Sequence, residues 1–178
     1  LKNENRFRLT PEELLAAITD KTKILILAFP SNPTGAVMTK EDLEPIAKIC
    51  QEKDIYVISD EIYSELTYGG EKHCSISSLP GMKERTIVIN GFSKAYAMTG
   101  WRLGYALAPE VIAHQMTKIH QFAIMCAPTT SQYAAIEAIK NGDADIEKMC
   151  KSYDQRRRFL LKKFEEIGLP CFEPHGAF

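Results

Sequence analysis

Four short apolar runs along the chain have the length and composition of buried β-strands. They cover residues 23–29, 55–59, 86–90 and 103–108 and are rich in Val, Ile and Leu. Runs of this length between polar, Gly or Pro residues indicate strands. The second run is apolar at consecutive positions, which is typical of a strand covered on both faces. The third and fourth runs lie too close together for a crossover connection, so the fourth is predicted to be antiparallel to the third.

Helical patterns alternate with the first strands and dominate the second half of the chain. Thr10, Pro11 and Glu13 form a helix start of the capping-box type. Thr39 is predicted to cap a helix over residues 40–53. Further helices are predicted over residues 110–125, 130–140 and 143–167. Strands that alternate with helices predict an α/β fold with a mixed, mostly parallel sheet.

Polar side chains follow three of the runs at the point where each run ends. Asn32 follows the first run, and Asp60 and Tyr63 follow the second. Ser93 and Lys94 follow the third. Taken singly, Asn32 and Asp60 are ordinary turn or cap residues and Lys94 is a solvated lysine. If the three strands are parallel, however, their carboxyl ends share one rim, which is where open α/β sheets bind ligands. Together these residues predict a reaction site.

Composition and charge narrow the classes of function. The chain has 178 residues, 45% hydrophobic and 25% charged, and a net charge of −1. This gives no electrostatic case for nucleic acid or an anionic membrane surface as a partner, and no apolar stretch has the length of a membrane span. The five cysteines form no C-x-x-C pair, so we expect reduced thiols in the cytoplasm. His73 is expected to be a surface loop residue rather than a ligand, and no metal site is predicted.

Three segments in a fixed order resemble the hallmark segments of the class I/II aminotransferases, which are fold-type-I enzymes dependent on pyridoxal 5′-phosphate (PLP). Residues 91–104, GFSKAYAMTGWRLG, resemble the family's PLP-lysine motif. Residues 31–35, SNPTG, and 59–63, SDEIY, resemble the two other segments. The resemblance runs over essentially the whole chain and is greatest for the bacterial aspartate and aromatic aminotransferases. It implies transamination between an aspartate-type or aromatic L-amino acid and a 2-oxo acid, in a homodimer.

The resemblance implies catalytic roles for three residues. Lys94 would hold PLP as a Schiff base and, once displaced by the substrate amine, move the proton of the substrate α-carbon. PLP is an electron sink while its ring nitrogen is protonated, and Asp60 matches the position that keeps it so. Tyr63 would hydrogen-bond the phenolate oxygen of the cofactor.

The same resemblance implies three further cofactor contacts. Asn32 would share the phenolate oxygen with Tyr63. Ser93 and Arg102 would hold the phosphate, Arg102 through its planar guanidinium. The implied cofactor-binding set is therefore Asn32, Asp60, Tyr63, Ser93, Lys94 and Arg102.

The two ends of the sequence lead us to expect a piece of a longer protein. It begins at Leu1, without Met, and stops at Phe178 within a motif. By resemblance, residues 1–142 would be part of the PLP-binding large domain, and residues 143–178 the interdomain helix and the start of a truncated small domain. The family's glycine-rich phosphate turn and its α-carboxylate arginine have no counterpart here. We therefore expect residues 1–178 alone to be inactive and, with exposed strand edges, to associate.

Three alternative functions remain open at this point. A PLP-dependent carbon–sulfur β-lyase would share the fold and the cofactor contacts, although the TGWR run of residues 99–102 favours a transaminase. A non-catalytic PLP-binding domain of a transcription regulator would also share them. A nucleotide-binding Rossmann domain is disfavoured because the sequence has no G-x-G-x-x-G and no Walker-type loop.

Overall fold

A four-stranded mixed sheet forms the centre of the computed structural model, which describes residues 1–177. The strands lie side by side in chain order: β1 Ile24–Ala28, β2 Tyr56–Asp60, β3 Thr86–Gly91 and β4 Gly104–Leu107. The first three are mutually parallel, and β4 is antiparallel to β3. The predicted strands and the predicted direction of β4 are confirmed, with ends that differ by at most one residue.

Five α-helices complete the fold of residues 1–177. They are α1 Pro11–Ala17, α2 Lys40–Glu52, α3 Glu110–Ala123, α4 Thr129–Asn141 and α5 Asp143–Glu166. The capping box predicted at Thr10 is present, and Thr39 caps α2 in the same way. Each threonine accepts a hydrogen bond from the third helical N–H, while the acid at that position bonds back to the threonine N–H. Among residues 1–177 no helix is both long and apolar enough to cross a membrane.

The main core lies between α1, α2 and one face of the sheet. Leu27 of β1 and Val57 of β2 point into it and are almost fully buried, as are Leu14 of α1 and Ile46 of α2. The short 3₁₀ turn Ile76–Ser78 closes the core with the side chain of Ile76. This face therefore holds the strands in register from the amino end of the sheet to the rim.

The opposite face of the sheet corrects the expectation that β2 is covered on both sides. Burial alternates along β2, where Tyr56 is 40% exposed and Val57 is fully buried. Ile26, in register with Ile58, is 69% exposed. The prediction was wrong for the described residues because both helices that share the main core, α1 and α2, pack on the same face.

Two smaller clusters support the chain segments that follow β2 and β3. Behind the second segment, Phe92 and Met98 pack against Ala135 of α4. Behind the first, Tyr63, Leu66 and Tyr68 pack together, with residues of α5 against them. The two rim segments are therefore held by helices rather than projecting into solvent.

The segment of residues 174–177 returns to the loop after β1. The N–H groups of His175 and Gly176 both donate to the carbonyl oxygen of Gly35, at 2.8 and 2.9 Å. Gly35 has a left-handed φ of +70°, and a Cβ there would overlap the Cβ of Pro174. Only glycine satisfies both the conformation and the close approach.

Replacing Gly35 by alanine should therefore destabilise the protein more than the same change at Gly168. Gly168 has almost the same φ, +69°, but open space around it. Gly168→Ala should cost only the left-handed penalty, about 1–2 kcal/mol, whereas Gly35→Ala adds the overlap with Pro174. Urea denaturation of the complete protein that carries this sequence measures both losses. Equal losses would contradict the close approach.

Candidate active site

The loop after β1 brings an amide to a phenol across the rim of the sheet. Within this loop the N–H of Gly35 donates to the Ser31 carbonyl at 2.7 Å, and the N–H of Ser31 donates to the Ala36 carbonyl at 2.9 Å. The loop therefore has a fixed backbone. From it the Asn32 side chain donates Nδ2–H to the Tyr63 hydroxyl oxygen at 3.2 Å.

Asp60 is the last residue of β2 and begins the turn that carries Tyr63. Its side chain is half-buried, and Oδ1 accepts the N–H of Ile62 at 3.2 Å. The register places Asp60 between Ala28 of β1 and Ile89 of β3. The carboxylate thus lies in the row of side chains on the open face of the sheet, at its carboxyl end.

Lys94 approaches the same phenol from the segment after β3. Its Nζ lies 5.7 Å from the centroid of the Tyr63 ring, a cation–π distance. Ser93 and Lys94 are both half-buried in the turn that follows Gly91. A Cβ on Gly91 would lie 2.9 Å from the Gly104 Cα, so glycine is what allows β4 to pass this close to the turn.

Arg102 lies at the same end of the β3–β4 hairpin. Gly91 pairs with Gly104, so Ser93 and Arg102 each stand two residues beyond that pair. Arg102 has a left-handed φ of 51°, and its Nη1 donates to the Thr99 carbonyl at 2.8 Å. The residue before it is tied to α4, because Ser131 Oγ donates to the Trp101 carbonyl at 2.7 Å. The guanidinium is exposed, with donors left to bind an anion.

The six predicted residues therefore fall into two groups. Asn32, Tyr63 and Lys94 are joined by direct contacts, and Asp60 begins the turn that carries Tyr63. Ser93 adjoins Lys94, while Arg102, at the same end of the hairpin, bonds within its own turn.

A buried carboxylate beside Asp60 escaped the sequence-based prediction. The Glu61 side chain is only 5% exposed, and its Oε1 accepts hydrogen bonds from Ser59 Oγ at 2.9 Å and Ser75 Oγ at 2.6 Å. Its Oε2 lies 2.8 Å from His73 Nε2. The expectation that His73 is a surface loop residue was wrong, since its side chain is 15% exposed and bonded to Glu61.

The hydrogen bonds to Glu61 decide its ionisation. Burial by itself raises the pKa of this carboxyl, but the hydrogen bonds from His73, Ser75 and Ser59 and the charge interaction with His73 outweigh it and hold the pKa below its usual range. Glu61 is therefore an anion at neutral pH. No sequence signal marks His73 and Ser75 as its partners, because they lie 12 and 14 residues further along an irregular loop.

A comparison with known protein families identifies the family of this chain. The family model for aminotransferase class I and II matches residues 1–178, the whole chain. The chain belongs to the class I and II aminotransferase family.

Relatives of this aminotransferase-family chain are similar over nearly all of it. The aspartate aminotransferase of Pyrococcus abyssi is 49% identical over 98% of the chain and 46% of its own length. The aromatic-amino-acid aminotransferase 2 of Thermococcus litoralis is 47% identical over 98% of the chain and 46% of its own length. The crystal structure of the aromatic aminotransferase from Pyrococcus horikoshii OT3 matches 99% of this chain and 48% of its own, with a TM-score of 0.96 and 49% identity. The chain thus spans less than half the length of these relatives.

Proposed function

We propose that the complete protein that carries this sequence transfers an amino group from an L-amino acid to a 2-oxo acid, with PLP as its cofactor. The observation that supports this most directly is the contact set of Asn32, Tyr63 and Lys94 at the carboxyl end of the sheet, next to Asp60. Family membership supports the cofactor, because aminotransferases of this family are generally PLP-dependent.

The donors and acceptors at the rim suit the polar groups of PLP. An amide and a phenol, already bonded to each other, suit an anionic ring oxygen. A half-buried carboxylate suits a protonated ring nitrogen, and an amine suits an aldehyde. Asn32, Asp60, Tyr63 and Lys94 are the residues that would make these contacts.

The phosphate end has its own candidates. Ser93 supplies a hydroxyl and Arg102 an exposed guanidinium, whose fork matches phosphate geometry. Both flank the same end of the β3–β4 hairpin.

The chemistry divides between cofactor and protein. Bound PLP supplies the electron sink for the carbanion at the substrate α-carbon. Asp60 would keep the ring nitrogen protonated by its negative charge. Lys94 would hold the cofactor through its amine and, once the substrate amine had taken its place, its Nζ would accept the α-carbon proton and pass it to the cofactor carbon that carried the aldehyde. The Asn32–Tyr63 pair would orient the ring by bonding its oxygen.

Substrate, assembly and location belong to the same proposal. Aspartate-type and aromatic amino acids are the candidate donors, after the names of the Pyrococcus and Thermococcus relatives. A homodimer would bury exposed aromatic side chains such as Phe122 of α3 and Tyr133 of α4. The free cysteines favour the reducing cytoplasm. Residues 1–142 would belong to the PLP-binding domain, and residues 143–178 would lead into the small domain.

A single half-reaction tests the proposed function. The complete protein, loaded with PLP, is mixed with L-aspartate or L-tyrosine without any 2-oxo acid. We expect one equivalent of the matching 2-oxo acid and conversion of the cofactor to pyridoxamine phosphate.

Two other outcomes would overturn transamination. Continuous release of ammonia and pyruvate from a cysteine-type substrate, without the half-reaction, would identify a β-lyase. Binding of PLP with no turnover of any amino acid would favour a regulatory domain.

A further inference from the structure

We propose that Glu61 is a positioning residue, whose buried carboxylate locks the turn that carries Asp60 and Tyr63. The inference rests on the proposed function, because the turn matters through what those two residues contact. The oxygens of Glu61 itself are already bonded to Ser59, Ser75 and His73. We therefore expect Glu61 to act through the turn and not by contacting the cofactor.

The side-chain network has one well-satisfied arrangement. An ionised carboxylate removed from water is costly unless donors surround it. Here three side-chain donors reach the two oxygens at 2.6 to 2.9 Å. Any rotation of Glu61 would leave an anion and at least one partner unsatisfied, so the network resists small displacements as well as large ones.

The backbone of Glu61 is fixed at the same time. Its N–H donates to the Ile89 carbonyl of β3 at 2.8 Å, and its carbonyl accepts the N–H of Ser64 at 2.9 Å. Glu61 therefore connects three parts of the molecule: β3, the turn, and the loop that contains His73 and Ser75. Asp60 precedes it directly and Tyr63 follows two residues later, so neither can shift without it.

The loop that supplies the donors needs such an anchor. It begins at Gly69 and Gly70, both in left-handed conformations, with φ of +69° and +84°. Gly70 has no neighbouring atoms within 4 Å of a Cβ position. Two successive glycines give the chain many alternative paths, and the bonds from His73 and Ser75 to Glu61 select one of them.

The test compares Glu61→Ala with Glu65→Ala in the complete protein. Glu65 is an exposed acid at the end of the same turn, so its variant controls for loss of charge. Two measurements are made: hydrogen–deuterium exchange of residues 60–64 in the cofactor-free protein, and PLP affinity by fluorescence titration. Displacing a positioned group by about 1 Å can cost up to about 100-fold. We therefore expect Glu61→Ala to speed the local hydrogen–deuterium exchange by at least about tenfold and to weaken PLP binding by at least about tenfold. Glu65→Ala should change neither.

Variants of His73 separate positioning from general stability. His73→Gln keeps an N–H donor for Glu61 and should retain most of the PLP affinity, whereas His73→Phe should lose it. These variants also carry the test if Glu61→Ala does not fold. Exchange that rises equally throughout β1, β2 and β3, with unchanged PLP affinity of the folded protein, would overturn the inference in favour of a purely structural role.

The two proposals fail in different ways. If the unmodified protein binds no PLP, the proposed function is wrong, but the exchange comparison still decides whether Glu61 locks the turn. If PLP binds and Glu61→Ala matches Glu65→Ala in both measurements, the inference about Glu61 alone is wrong.

Discussion

Replacing Asp60 by alanine should lower the rate of the amino-group-transfer half-reaction by at least about 100-fold, or roughly 2.7 kcal/mol of barrier, while PLP stays bound. The carboxylate ends β2 at the rim of the sheet, where it would hold the proton on the cofactor's ring nitrogen. Without that proton the ring is a poor electron sink, so the rate should fall even when PLP is saturating. Stopped-flow absorbance of the PLP-loaded complete protein measures it.

A matched substitution at the other end of β2 provides the control. Asp54 also carries a carboxylate, but its side chain is 87% exposed and pairs with Arg85 at 3.2 Å. Because Asp54 has a left-handed φ of 50°, the control is Asp54→Asn, compared with Asp60→Asn. A rate that falls less than about tenfold in the Asp60 variants, worth ~1.4 kcal/mol, would show that Asp60 does not have this role.

Replacing Lys94 by alanine should reduce the same half-reaction by about 10²- to 10⁴-fold, the usual contribution of a general acid–base group. The loss should differ in kind from that of Asp60→Ala, because the missing group is a proton carrier. A small primary amine added to the solution should therefore restore part of the rate in Lys94→Ala and none in Asp60→Ala. Lys72 is an exposed loop lysine, so Lys72→Ala is the control and should keep the full rate.

A Lys94→Ala variant with an unchanged rate would remove the basis for the proposed mechanism. A reduced rate that no added amine restores would instead indicate that Lys94 only binds the cofactor.

The fold was predictable where local chemistry decides it. The capping residues Thr10 and Thr39 carry their signal within four residues of sequence, and the structure confirms both helix starts. The direction of β4 followed from the shortness of its connection to β3. The exposure of one sheet face was not predictable in this way, because Ile26 and Tyr56 are residue types that usually lie in covered strands. They are exposed because α1 and α2 both pack on the other face of the sheet.

The candidate site was predictable as a set of residues but not as a set of contacts. Strand ends placed Asn32, Tyr63 and Lys94 at one rim, and their contacts agree with that. Glu61 was missed because nothing in the sequence distinguishes a buried acid from the solvated acids common at strand ends. Glu61 is surrounded by donors because the irregular loop folds back and brings His73 and Ser75 to its carboxylate.

The identity of the cofactor-bearing lysine is the most direct test of the proposed function. The complete protein is incubated with PLP, reduced with borohydride to fix the cofactor to its lysine, digested, and mapped by mass spectrometry. We predict a single phosphopyridoxyl label, on Lys94, whose Nζ stands 5.7 Å from the Tyr63 ring centroid. A label on another lysine, such as Lys72 or Lys118, would contradict the site.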